Sequence, residues 1–203
     1  MSTQYKVNFS GTSGQLEGAV HLPDESPLAI AVIAHPLPIM GGTMENKVVT
    51  TLAKTFVDLG YATLRFNFRG VGASDGSYDE GRGETLDAIA AAEFMREQFP
   101  DLALLIGGFS FGGYVQARAA EELLPEQLVL IAPAVGRFDM PQVSRNALVV
   151  HGDQDEVVEL LEVLDWARPQ HLPVIVLTGA GHFFHGRLTQ LRQVITRHMS
   201  APP

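Results

Sequence analysis

Ser110 lies at the centre of GGFSFGG (107–113), a G-x-S-x-G pattern placed between the apolar run LALLIGGF (102–109) and GGYVQARAAEEL (112–123), a good helix former. The pattern has a mechanical meaning. A serine on a sharp strand-to-helix turn projects its hydroxyl, and glycines two residues to either side remove side chains that would collide there. A hydroxyl is nevertheless a weak nucleophile until a base takes its proton and a third group orients that base. Two later segments offer those groups. DQDEVV follows the apolar run ALVVHG (147–152) and carries Asp153 and Asp155; AGHFF follows PVIVLTG (173–179) and carries His182, with His185 three residues on. Spacing alone leaves Asp153 competing with Asp155 and His185 competing with His182.

The same chain contains a control. GASDG (72–76) repeats the pattern around Ser74. With 20 Gly and 9 Ser, a chance match is expected a little under about one time in ten, so context has to decide. Ser74 follows its apolar run by several loop residues and leads into another loop, DGSYDEGRG. Only Ser110 has strand, turn and helix in immediate succession, so GASDG reads as turn chemistry.

His35 and His151 both end apolar runs, which makes them tempting metal ligands beside His182, His185 and Asp153. No H-E-x-x-H or comparable ligand spacing accompanies them, and hydrogen-bonded structural histidines are the expectation, with no metal. Gly41-Gly42 is followed by no G-K-[ST] phosphate-loop ending. No cofactor is therefore expected. The absence of cysteine excludes disulfides, thiolate nucleophiles and Cys-ligated zinc.

The elements that must position these residues alternate regularly. KVNFSG (6–11) and QLEGAVHL (15–22) predict a hairpin. LAIAVIAH (28–35), YATLRFNF (61–68), LALLIGGF, QLVLIAP (127–133), ALVVHG and PVIVLTG are short apolar runs typical of strands covered on both faces. Between them, Thr43 is the expected cap of a helix stopping at Gly60, a second helix should run from about Glu80 to Phe99 before Pro100, and Leu188, Leu191, Ile195 and His198 mark one face of a last helix. Strand and helix in alternation predict a layered α/β fold whose site lies at the carboxyl edge of a mostly parallel sheet. With 203 residues, 46% hydrophobic, one domain spanning 1–203 is expected, with a loose Ala-Pro-Pro end.

The order Ser110, Asp155, His182 is that of an α/β-hydrolase. GFSFGG, HGDQDEVV and GAGHFF resemble the nucleophile, acid and histidine motifs of that superfamily, and HPLPIMGGTMENKVV with RFNFRGVGASDG resembles a small lidless bacterial serine hydrolase branch related to the dienelactone hydrolases. The resemblance covers nearly the whole chain. It implies a three-layer α/β-hydrolase fold, with about eight strands, helices on both faces and no cap domain. It also implies Ser110 as nucleophile, His182 as base and Asp155 as its orienting acid, with backbone N–H groups of Phe111 and Leu37 as the oxyanion hole. Pro36 and Pro38 have no N–H, which leaves Leu37 as the donor in H-P-L-P. His35, Gly41, Gly42 and Phe183 are the residues expected around substrate. Where the branch has H-P-H-P this chain has H-P-L-P, so a main-chain donor survives while a polar side chain is lost. Dienelactone hydrolases proper use cysteine, which this chain lacks.

The connection AVGRFDMPQVSRN (134–146) is too short to fold over the site as a lid, which predicts an open, shallow cleft walled by residues such as Phe138, Met140, Phe183 and Phe184. The function expected is cleavage of small carboxylic esters through an acyl-enzyme. The alternatives are a thioesterase or peptidase using the same groups, or a binding protein that retains the fold. A small-molecule acyl substrate is the expected partner. The formal charge of −9, with 14 scattered Lys and Arg, argues against nucleic acid. Neither a leader nor an 18-residue apolar span is apparent, so no membrane partner and a cytoplasmic location are expected.

Overall fold

The computed structural model describes residues 3–200; the Ala-Pro-Pro end expected to be loose lies outside them. One eight-stranded sheet organises the chain, in the order β1-β2-β4-β3-β5-β6-β7-β8. β1 (Thr3–Gly11) and β2 (Gly14–Leu22) form the predicted antiparallel hairpin, and β2 pairs antiparallel with β4 (Tyr61–Phe66). From β4 onward the sheet is parallel, through β3 (Ala29–Ala34), β5 (Ala103–Phe109), β6 (Gln127–Ile131), β7 (Leu148–Gly152) and β8 (Val174–Leu177).

Period-two alternation divides the apolar strand residues between two cores. Ile30, Val32, Leu104, Ile106, Leu128, Leu130 and Val149 face the side covered by α2 (Arg82–Gln98), α3 (Phe111–Leu123) and α4 (Leu160–Ala167). Ala31, Ile33, Leu105, Phe109, Val129, Ile131, Leu148 and Val150 face α1 (Lys47–Asp58) and α5 (Leu188–Met199). These continuous apolar runs are thus covered on both faces, and the three-layer α/β-hydrolase architecture follows.

Helix boundaries depart from expectation where loops claim backbone groups. Thr43 does not cap α1. Asn46 does, its side-chain oxygen accepting the Val48 N–H at 2.8 Å. The delay has a cause: Met44 donates its N–H to Asn67 Oδ1 at 2.8 Å and accepts Arg65 Nη1 at 2.8 Å, holding this stretch outside the helix. α2 ends before Pro100 as expected but starts at Arg82, because the Glu84 carboxylate folds back onto the N–H groups of Gly81 (2.7 Å) and Asp79 (2.9 Å). In α5, Leu191 and Ile195 are buried, whereas His198, in the last turn, is exposed.

Residues 134–146 form no helix, and among the described residues no cap covers the carboxyl edge. This connection is tied sideways onto the region of α4, where Trp166 Nε1 donates to the Pro141 carbonyl (3.1 Å) and Gln170 accepts the Val143 N–H (2.9 Å).

Candidate active site

Ser110 leaves β5 with φ 55° and ψ −117°, in the left-handed half of backbone space that a non-glycine residue adopts at a cost of about 1–3 kcal/mol. Its surroundings hold it there. The Ser110 N–H donates to Ile131 O on β6 (2.9 Å), and the Ser110 carbonyl accepts Gly113 N–H (2.9 Å). The flanking glycines are sterically required: a Cβ at Gly108 would lie 2.2 Å from Gly112 O, and one at Gly112 would lie 2.4 Å from Ala34 O. The second of these contacts seats the first turn of α3 against the end of β3, where the HPLP loop begins.

His182 bridges the serine and an acid. Its Nε2 lies 3.0 Å from Ser110 Oγ and its Nδ1 lies 2.7 Å from Asp155 Oδ2. Asp155 being an acceptor, the ring proton sits on Nδ1 and the serine hydroxyl donates to Nε2. All three residues are buried, at 8% exposure or less, yet they lie at the open edge of the sheet. Burial by itself would raise the Asp155 carboxyl. The hydrogen bond from His182, the amides of Val158 and Val157 (2.8 Å each, both to Oδ1) and attraction to His182 outweigh it, and hold the group below its ordinary value. The carboxylate therefore stays ionised at neutral pH.

The loops carrying acid and histidine are stitched together. Gln154 N–H donates to Ala180 O (3.0 Å) and Gly179 N–H donates to Asp153 Oδ1 (2.6 Å). That second bond gives Asp153 a turn role and leaves Asp155 facing the imidazole. On the histidine side, Phe184 is fully buried in the core beneath the loop, with φ 52°, and so anchors the loop and forms no cleft wall. Phe183 is 44% exposed, edge-on to His182 with ring centroids 5.1 Å apart. His185 is exposed and stacks on Phe183, away from Ser110 in its contacts.

Neither the Leu37 nor the Phe111 N–H has an acceptor among the described residues, so both are available to a ligand oxygen. Leu37 precedes the 3₁₀ turn Pro38–Met40, and Gly42 N–H closes back on Leu37 O (3.1 Å). Gly42 is buried, and a Cβ there would lie 2.0 Å from Pro36 O; Gly41 is exposed, with φ 80°. The expectation that His35 meets substrate is corrected. His35 has no exposed surface, Nδ1 donates to Pro36 O (2.7 Å), and Nε2 accepts the Phe68 N–H (3.1 Å). Burial pushes it down to about 4, against the lesser upward pull of the Pro36 carbonyl, so the neutral ring splints the HPLP loop to the segment after β4.

Ser74 is also a structural residue. Its buried hydroxyl accepts Glu17 N–H (3.0 Å) and donates to Asn67 O (2.8 Å), fastening GASDG to β2. Asn67, which the sequence did not single out, braces the HPLP side through Met44. His151, expected as a hydrogen-bonded structural histidine, packs behind Asp155 with Nε2 on Val158 O. Polar residues inside or at the end of an apolar strand are the signal that marks both.

The chain has recognisable relatives. Residues 13–172 match the model of the X-Pro dipeptidyl-peptidase (S15 family). The chain belongs to that family. It is also 32% identical, over 96% of its length and 88% of the other's, to an uncharacterized protein of Rickettsia prowazekii (strain Madrid E). Among solved structures, an α/β serine hydrolase without lid from Xanthomonas campestris is 40% identical with a TM-score of 0.92, covering 98% of this chain and 97% of that one. An α/β serine hydrolase homologue from Coxiella burnetii is 41% identical with a TM-score of 0.91, covering 97% of each chain. This chain is accordingly a serine hydrolase of the small lidless branch of the α/β-hydrolase superfamily. No helix among the described residues is long and apolar enough to cross a membrane.

Proposed function

We propose that this serine hydrolase cleaves small carboxylic esters through an acyl-enzyme on Ser110. The observation carrying the proposal is the single imidazole that contacts both Ser110 Oγ at 3.0 Å and Asp155 at 2.7 Å, at an edge with no lid. In this reading His182 Nε2 takes the serine proton as Oγ attacks the ester carbonyl, and it returns that proton to the departing alkoxide. Water, deprotonated by the same nitrogen, then releases the acid and restores the serine. Asp155 orients the ring and stabilises its charged form. The free amides of Leu37 and Phe111 hold the oxyanion, each worth about 10²- to 10³-fold in kcat.

The open edge supports a small substrate, because none of the described residues folds over to enclose a long chain. Exposed Ile39, Met40 and Phe183 give the rim an apolar character suited to short acyl or alcohol groups. Peptide cleavage is the second reading, favoured by the family match; the same proton path serves it if His182 protonates the leaving amine.

Fluorophosphonate labelling with peptide mapping tests the nucleophile, and a p-nitrophenyl ester series run beside an X-Pro p-nitroanilide tests the bond. Label on Ser110, absent from Ser110→Ala, with ester turnover favouring short acyl chains, is the expected result. Preferential anilide turnover would replace the ester reading by the peptidase one, and a preference for acyl chains beyond about eight carbons would overturn the open-cleft argument.

A further inference from the structure

His151 is the fourth residue of β7, whose other members are Leu148, Val149, Val150 and Gly152. It is wholly buried in an otherwise apolar strand. A buried imidazole there costs desolvation that an aliphatic residue would avoid. The contacts of the ring point to what offsets the cost. Nε2 lies 2.9 Å from Val158 O and 3.4 Å from Asp155 Oδ2, while Nδ1 has no partner among the described residues.

Those contacts define the tautomer. Val158 O and the carboxylate are acceptors, so the proton of the neutral ring is on Nε2, and it points into the loop that runs from Gly152 round to Val158. Nδ1 is left as a lone pair facing the interior. Burial holds the imidazole below its ordinary value despite the Val158 carbonyl and the Asp155 charge, with His182 adding to the depression. Asp155 and His182 are the titratable groups that act on it, and a neutral His151 leaves the negative charge of Asp155 to His182.

Asp155 is consequently gripped on every side. Oδ1 takes the amides of Val157 and Val158, Oδ2 takes His182, and the His151 ring lies behind, its Nε2 3.4 Å from Oδ2 while its N–H is given to Val158 O. We propose that His151 is a positioning residue for the reaction: from the end of β7, its Nε2–H holds the Val158 carbonyl, and with it the loop whose Val157 and Val158 amides orient the carboxylate that aims His182 at Ser110. The proposal rests on the Ser110, His182 and Asp155 reading given above, and it assigns His151 no contact with substrate.

His151→Phe fills the space without the donor, whereas His151→Gln returns an amide N–H near the Nε2 position. With p-nitrophenyl butyrate, His151→Phe should lower kcat by about 10- to 100-fold, the scale of loss for a slightly misaimed catalytic group. KM should stay within about twofold. The acid limb of the kcat/KM profile should move to higher pH, because a carboxylate held less firmly by the Val157 and Val158 amides pairs more strongly with the imidazolium. The downfield proton resonance of the His182–Asp155 hydrogen bond should shift in parallel. His151→Gln should restore kcat to within about threefold of the parent and return the acid limb.

A folded His151→Phe protein with parental kcat and pH profile would overturn the proposal, as would equal impairment of the Gln and Phe variants, which would mean packing alone. If the Phe variant does not fold, His151→Asn replaces it, being polar but too short to reach the Val158 carbonyl; it should lose activity where Gln does not. Ser110→Ala separates the two levels. Turnover surviving in Ser110→Ala sinks the site itself, whereas an inactive Ser110→Ala beside unaffected His151 variants sinks only the positioning role.

Discussion

Gly152 and the carbonyl of Ala180 approach so closely that a Cβ on Gly152 would lie 2.1 Å from the oxygen. This contact joins the end of β7 to the loop after β8, and so sets the distance between the loops that carry Asp155 and His182. Because the obstacle is backbone, no rotamer change relieves it. Gly152→Ala should destabilise the protein by about 2 kcal/mol or more and lower kcat, since one of the two loops must move. Urea unfolding together with steady-state kinetics checks this, and unchanged values in both would refute the account.

Asp155 and Asp153 should separate cleanly under the same substitution. Asp155→Asn keeps the shape but lets the side-chain amide face His182 Nδ1, favouring the wrong tautomer, and kcat should fall by about 10³- to 10⁴-fold. Asp153→Asn weakens only a turn bond to the Gly179 N–H, and kcat should stay within about threefold. The reverse ranking would reassign the acid.

Ser74 should matter for stability and not for chemistry. Ser74→Ala leaves the Glu17 N–H and Asn67 O without their partner in a buried position, at a cost of about 1–3 kcal/mol. Fluorophosphonate labelling of Ser110 should persist in this variant. Loss of label from a folded Ser74→Ala protein would show that the choice of elbow was wrong.

His35 predicts a pH dependence. Its folded-state value of about 4 lies below the ordinary 6.5, so between these pH values the unfolded chain takes up a proton that the folded chain refuses. The stability contribution is complete above pH 6.5 and is lost as pH falls toward 4. The full loss amounts to roughly 3 kcal/mol, and His151 titrates in the same sense. His35→Gln removes the titration at position 35. Urea unfolding at pH 7 and pH 4.5 should therefore show a smaller acid-induced loss in the variant, by about 2 kcal/mol. Equal losses in both proteins would contradict the assignment.

Much of this protein was determined by its sequence, because local physics suffices for much of it. Apolar runs of six to eight residues separated by helical stretches admit few arrangements other than a doubly covered parallel sheet, and all eight predicted strands are present. Ser110 was legible for the same reason: strand, glycine turn and helix are adjacent in the chain, and the second match at Ser74 fails that local test. What the tertiary structure decided are the relations between residues far apart in sequence. Spacing left Asp153 beside Asp155 and His185 beside His182, and only the family resemblance favoured Asp155 and His182; the physical reason appeared once β7 and β8 lay side by side and one oxygen of each candidate acid found its partner. His35 stands at the expected edge yet turns inward, because Phe68 N–H, 33 residues away, supplies a donor that the sequence does not reveal. Thr43 lost its cap to Asn46 because Asn67 and Arg65 hold Met44. Propensity and periodicity act over a few residues, whereas the competition for buried hydrogen-bond partners is resolved only when the chain is compact, and at this site that competition positions the groups that do the chemistry.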